Sequence, residues 1–203
     1  MTAQQVLETL DTLACSPRSL VRTFDKFETA SKMKPGRYVI EPTSTSAYVA
    51  RMLNFGWQTP TDLTLSGTIR SKGVLARKIA NQMMVDSASV AQALDSADFL
   101  SGYGFTPENV FAMILPDTYQ MYWTATVPDI FNRFKKEYDA FWNESRLAKA
   151  AAQKLSPMQV SVVASIVSGE TLKSFEYPKI AGVYLNRYRK GMKLQADPTV
   201  CFC

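Results

Sequence analysis

Between Thr126 and Trp142 the chain carries Ile130, Phe131, Phe134, Tyr138, Phe141 and Trp142 at i, i+1, i+4, i+8, i+11 and i+12. That spacing predicts an α-helix with one broad apolar face, opened by Thr126-Val127-Pro128. A face made of so many large rings has to be buried, so the rest of the chain must build a core around it. Only a ring overhanging the end of the helix is left for stacking on a sugar. The chain has the material for such a core: of its 203 residues 46% are hydrophobic and 11% aromatic. That mixture excludes disorder, and the length suits one large domain or two small ones.

Other helices follow from the same period. Residues 4–14 carry Val6, Leu7, Leu10 and Leu13 on one stripe. Ser16-Pro17 opens a second helix with Leu20, Val21, Phe24 and Phe27 inward. Thr43 to Ser46 offers caps for a third, with Val49, Met52 and Leu53 inward and Gly56 as its stop. Two more are predicted from Ser71 to Met84 and from Ser87 to Leu100. Ser156-Pro157-Met158-Gln159 is a capping box with Pro at the first helical position. The helix it starts is apolar on most sides through Val167 and is expected to be buried. Pro178 opens a last helix, stopped at Gly191 and followed by a loop with a turn through Pro198.

Strand signals are few. Arg37 to Glu41 reads as a short strand ended by Pro42, and Leu63 to Leu65 as another, with Thr68 to Arg70 as its continuation. Val110 to Leu115 is a buried strand or a short helix, ending at Pro116. Helices outnumber strands and do not alternate with them, so the expected class is α+β.

The absence of histidine removes much catalytic machinery. There is no Ser-His-Asp triad, no Cys-His dyad and no histidine-ligated metal. No ligand cluster has metal spacing, no Gly-rich loop fits a phosphate, and no cofactor is expected. Cys15, Cys201 and Cys203 make an odd set that reads as free thiols. The net charge of +5 suits an anionic polymer, a membrane surface or nucleic acid, but interleaved basic and aromatic signals of the RNA-binding kind are missing. The densest basic run, Lys179 to Lys193, is either a solvated helix face or part of a polyanion groove. No stretch is long and apolar enough to span a membrane.

Acid–base chemistry therefore falls to carboxylates, Lys, Tyr or Cys. Glu170 is the leading candidate, because it ends a nearly all-apolar helix beside Gly169. A carboxyl held against such a surface loses solvation in its charged form and so keeps a proton to give as a general acid at neutral pH, whereas one just past the helix end merely faces solvent. Asp197, in Asp-Pro, either caps a turn or serves as a second acid; Glu176 reads as a surface loop acid. Two carboxylates would support ordinary glycoside hydrolysis.

With these residues in view, the chain resembles the endolytic murein transglycosylases of the MltG/YceG-like family. The ordered motif runs through Ala164-Ser-Ile-Val167, Glu170-Thr171, Ile180-Ala-Gly-Val-Tyr-Leu-Asn-Arg187, Gly191-Met192 and Leu194-Gln-Ala-Asp-Pro-Thr-Val200. Leu115-Pro-Asp-Thr-Tyr119 resembles a second motif, and Lys34 to Leu65 a LysM-like part. The resemblance implies a helical segment over 1–35, a LysM-like α/β subdomain with following helices over 36–110, and the start of a mixed α+β catalytic domain over 111–203. It further implies cleavage of nascent peptidoglycan between N-acetylmuramic acid and N-acetylglucosamine, leaving a 1,6-anhydro end, with a single glutamate as acid and then base. Glu170 matches that glutamate. Gln195, Asp197, Thr199, Asn186, Arg187 and Tyr119 match substrate-groove motifs. Family chains begin with a membrane helix and continue past Val200, so a piece clipped at both ends and an incomplete catalytic domain are expected. The implied setting is the periplasmic side of the inner membrane, with glycan strands as substrate and peptidoglycan synthases as partners. Departures from the family pattern are Ser168, where an acid is frequent, and Leu65-Ser66-Gly67-Thr68 in place of Pro-Glu-Gly. Two other readings stand beside this one: a non-catalytic LysM-like glycan binder and a two-carboxylate glycosidase.

Overall fold

The computed structural model describes residues 2–67 and 69–196. The fold is α+β. The elements are α1 (Ala3–Leu13), α2 (Pro17–Lys26), α3 (Thr29–Lys32), α4 (Ser46–Phe55), β1 (Thr61–Thr64), α5 (Lys72–Ala80), α6 (Ser87–Asp95), α7 (Ala97–Ser101), a 3-10 turn (Val110–Met113), β2 (Thr118–Met121), α8 (Val127–Phe141), α9 (Glu144–Ala152), α10 (Pro157–Glu170), a second 3-10 turn (Ser174–Glu176) and α11 (Tyr177–Arg189). β1 and β2 pair in a two-stranded sheet. The chain divides into two compact units: Met1–Leu63 with Gln82–Val85 and Thr118–Thr126, and Thr64–Asn81 with Asp86–Asp117 and Val127–Cys203. Among the described residues no helix is long and apolar enough to cross a membrane.

In the first unit the predicted stripes converge. Leu20 and Phe24 of α2 meet Val49, Met52 and Leu53 of α4, and Val6, Leu7 and Leu10 of α1 pack against them. Thr2 and Gln5 form a capping box at the head of α1. Gly56 ends α4 at φ 72°, a left-handed conformation that glycine adopts without Cβ strain, and the Met52 carbonyl accepts from both Gly56 and Trp57 amides at 3.0 Å. The predicted strand at Arg37 to Glu41 does not form. Thr59 N–H donates to the Arg37 carbonyl at 2.8 Å, but Val39 N–H donates to the Thr59 hydroxyl at 3.2 Å and the Arg37 guanidinium to the Pro60 carbonyl at 3.0 Å. The Thr59 hydroxyl thus takes the amide that a ladder would give to a backbone carbonyl, the Arg37 side chain takes the Pro60 carbonyl, and pairing stops. Ile69 and Arg70 do not continue β1 either.

In the second unit, α8 fulfils its stripe. Ile130, Phe131 and Phe134 are fully buried. Phe99 meets Phe131 edge-on at 5.1 Å, and Phe105 meets Tyr138 edge-on at 5.3 Å. Only Phe141 overhangs, 38% exposed, and the Arg146 guanidinium lies 4.2 Å above its ring. The predicted helix from Ser71 stops at Ala80, with Asn81 as its cap. The one from Ser87 to Leu100 is cut at Ser96, whose hydroxyl accepts from Phe99 N–H at 3.2 Å and so starts α7. Val110 to Met113 resolves as a 3-10 turn rather than a strand. α9 had no counterpart among the predicted elements; the Asn143 side chain caps it by accepting from Arg146 N–H at 3.0 Å.

The predicted capping box of α10 is present. Ser156 accepts from Gln159 N–H at 3.2 Å, and the Gln159 side chain accepts from Ser156 N–H at 2.8 Å. Ser156→Ala is expected to lower stability by about 1 kcal/mol, measured by denaturant unfolding, while Ser156→Gly costs only a few tenths. The expected burial of α10 on most sides is not what forms. Ile166 and Val167 are buried, but Val162 is 50% exposed. A helix apolar all round has no preferred face, and among the described residues its packing partners cover one side only.

Candidate active site

α10 and α11 pack against each other through Ile166, Val167 and Tyr184, closed by Ala196, with Ile180 and Leu194 alongside. An open cleft of about 270 Å³ lies over this small core. Its polar lining is Glu170, Thr171, Glu176, Tyr184, Arg187 and Gln195.

Glu170 is the last residue of α10 and is exposed. Glu170 follows Ile166 by four residues and Val167 by three and so shares their face, but it stands one turn beyond them at the end of the helix, where the expected shielding of its carboxyl by its own helix is absent. Its Oε1 instead accepts from the Tyr184 hydroxyl at 2.5 Å. That is the short end of the range for a hydroxyl on a charged acceptor. Glu170 Oε2 has no hydrogen-bond partner among the described residues. Beside it, the Thr171 hydroxyl donates to Glu176 Oε2 at 2.6 Å and accepts from Lys173 N–H at 3.1 Å. The chain leaves α10 at Thr171 in an extended conformation, and the second 3-10 turn then returns Glu176 to the same cleft.

Tyr184 and Arg187 are three apart on α11 and so share a face. Arg187 Nε donates to the Lys193 carbonyl at 3.0 Å, and its guanidinium also donates to Gln195 Oε1. Gln195 holds φ at 53°, in the left-handed region that a side chain disfavours. Arg187 therefore clamps a strained loop against the helix. Arg187→Ala is expected to release residues 193–196, seen as faster amide exchange there, at about 0.5–1.5 kcal/mol of local stability. Lys at this position should not restore the clamp, since it lacks the planar fork.

Glu170, Arg187 and Gln195 line one cleft. Asn186 is exposed and does not line it. Tyr119 belongs to the first unit, on β2, and is 1% exposed. Asp197 and Thr199 lie outside the described residues, as do Cys201 and Cys203. In the basic run, Lys179, Lys190 and Lys193 are solvated, and Arg187 alone lines the cleft. Two cleft residues escaped sequence reasoning. Glu176 looked like a surface acid, and nothing in its neighbourhood announces the turn that brings it back. Tyr184 stands inside the Ile180 to Arg187 motif with nothing in its type to separate it from a packing residue. Among the described residues no group of His, Cys, Asp and Glu is placed to hold a metal ion.

An open carboxyl with one oxygen fixed and the other available can give a proton to a ligand in the cleft or take one from it. A family model described as the YceG-like family matches residues 1–203. Among solved structures, a YceG-like protein from Listeria monocytogenes superposes with a TM-score of 0.61, covering 98% of this chain and 71% of that one at 20% identity. No curated protein matches the chain.

Proposed function

The chain belongs to the YceG-like family, and from that premise we propose that it is an endolytic peptidoglycan lytic transglycosylase with Glu170 as its acid and base. The observation that carries the reading is the state of Glu170: a carboxyl lining an open cleft, gripped at Oε1 and with no hydrogen-bond partner at Oε2 among the described residues. The protonated carboxyl gives its proton to the oxygen bridging N-acetylmuramic acid and N-acetylglucosamine. The bond from that oxygen to the muramyl anomeric carbon breaks, and positive charge develops on the sugar. The carboxylate then takes the proton of the same sugar's 6-hydroxyl as O6 bonds to the anomeric carbon. The products are a 1,6-anhydro end and a new chain end, and Glu170 has its proton back. No water is consumed. The same reading places the work on the periplasmic side of the inner membrane, on strands supplied by peptidoglycan synthases. It also makes the stretch from Lys34 to Leu65 a LysM-like contact for the strand.

Glu176 favours a second reading, since it puts another carboxylate into the cleft. With two acids, a water could be activated and the bond hydrolysed. Product mass separates the two. The full-length protein, incubated with uncrosslinked glycan strands, is expected to release fragments ending in anhydro-muramic acid, each lighter by one water than a hydrolysis product. Reducing ends would establish the hydrolase instead. Binding with no cleavage would reduce the protein to a glycan-binding module.

A further inference from the structure

A single carboxyl that first gives and then takes a proton must do both from a fixed place. Glu170 has a long, flexible side chain and an exposed position, so nothing about its own residue fixes it. Tyr184 does. Its ring is 8% exposed and belongs to the buried cluster with Ile166, Val167 and Ala196. The phenol is anchored by packing, and its oxygen stands 2.5 Å from Glu170 Oε1. The two residues lie on different helices, so the bond ties the end of α10 to the middle of α11.

We infer that Tyr184 is a positioning residue that selects which oxygen of Glu170 carries the working proton. The inference rests on Glu170 being the acid of the proposed reaction. A hydroxyl donating to Oε1 requires that oxygen to be an acceptor. In the acid form the proton therefore sits on Oε2, the oxygen with no hydrogen-bond partner among the described residues. When Oε2 has passed its proton to the bridging oxygen, Oε1 is still held, and Oε2 is the atom left to accept from the 6-hydroxyl. One oxygen performs both transfers and the carboxyl need not rotate between them. Tyr184 itself exchanges no proton with substrate; it removes the motion that would otherwise dilute the reactive geometry.

Tyr184→Phe deletes the hydroxyl and keeps the ring. In the full-length protein, acting on uncrosslinked glycan strands, this variant is expected to lower kcat by about 10–100-fold with KM unchanged and the thermal midpoint lowered by no more than about 4 °C. A purely structural role would move KM in step with kcat, and that pattern would overturn the inference. Glu170→Asp supplies the second measurement. Asp is one methylene shorter and cannot keep the Tyr184 bond in place, so adding Tyr184→Phe to it is expected to change kcat by less than about twofold. Full multiplication of the two effects would count against positioning. Wild-type kcat in Tyr184→Phe would overturn the role of Tyr184 and leave Glu170 as the acid. Full activity in Glu170→Gln would overturn the acid assignment and this inference with it.

Discussion

Glu170→Gln is expected to abolish glycan cleavage, with turnover falling by about 10²–10⁴-fold, while the strands still bind. Gln has the same shape and can keep accepting from the Tyr184 hydroxyl through its carbonyl. It can neither donate the catalytic proton nor act as a base. Fold and cleft should therefore persist, which makes the change a test of chemistry alone. The measurement is release of fragments from uncrosslinked strands, paired with pull-down of the same strands by the variant. Retained cleavage would move the acid elsewhere, and Glu176 is the carboxylate that shares the cleft.

The largest effect on stability is expected at Phe134. It is fully buried on α8 beside Phe131, with ring centroids 5.9 Å apart. Phe134→Ala removes most of a ring from a packed interior and leaves a cavity, at about 3–5 kcal/mol. Native domains hold only about 5–15 kcal/mol in all, so this variant stands near the edge of folding. Phe141 on the same helix is the control. It is 38% exposed, and Phe141→Ala should cost about 0.5–1 kcal/mol, through its contacts with Arg146 and the edge of Trp142. Urea unfolding followed by far-ultraviolet circular dichroism would compare the two. Equal losses at both positions would show that the aromatic stripe is not the core of its unit.

These two variants also mark what was legible before the fold was known. Side chains that repeat with a helix period, such as the α8 stripe, announce both the element and its buried face. Caps are equally legible when a hydroxyl and an amide stand at fixed spacing, as at Ser156 and Gln159. Legibility failed where a side chain competes with the backbone or where a partner decides. Ser96 breaks a helix that periodicity would have continued, because its hydroxyl can cap a new one. Arg37 to Glu41 has strand residues, but the Thr59 hydroxyl takes the Val39 amide in place of a backbone carbonyl. α9 is short and rich in alanine, so it shows little stripe. α10 is so uniformly apolar that no face stands out, and its exposed side could not be read. In the site, Glu170 stood out by type and place. Its grip by Tyr184 and the return of Glu176 depend on how two helices and a turn meet in space.

The cleft sits at the carbonyl end of α10, and this has an electrical consequence. Aligned peptide dipoles leave roughly half a negative charge at such an end, and no basic residue occupies its last turn. Glu170 and Glu176 add their carboxylates to the same small volume. Arg187 is the cation lining it, and it is engaged with Lys193 and Gln195. Such a place repels phosphate and favours positive charge, the reverse of the familiar anion site at the start of a helix. In the proposed reaction a sugar ring losing its leaving group carries positive charge at the anomeric carbon, and the field of α10 would lower the energy of that species more than that of the neutral strand.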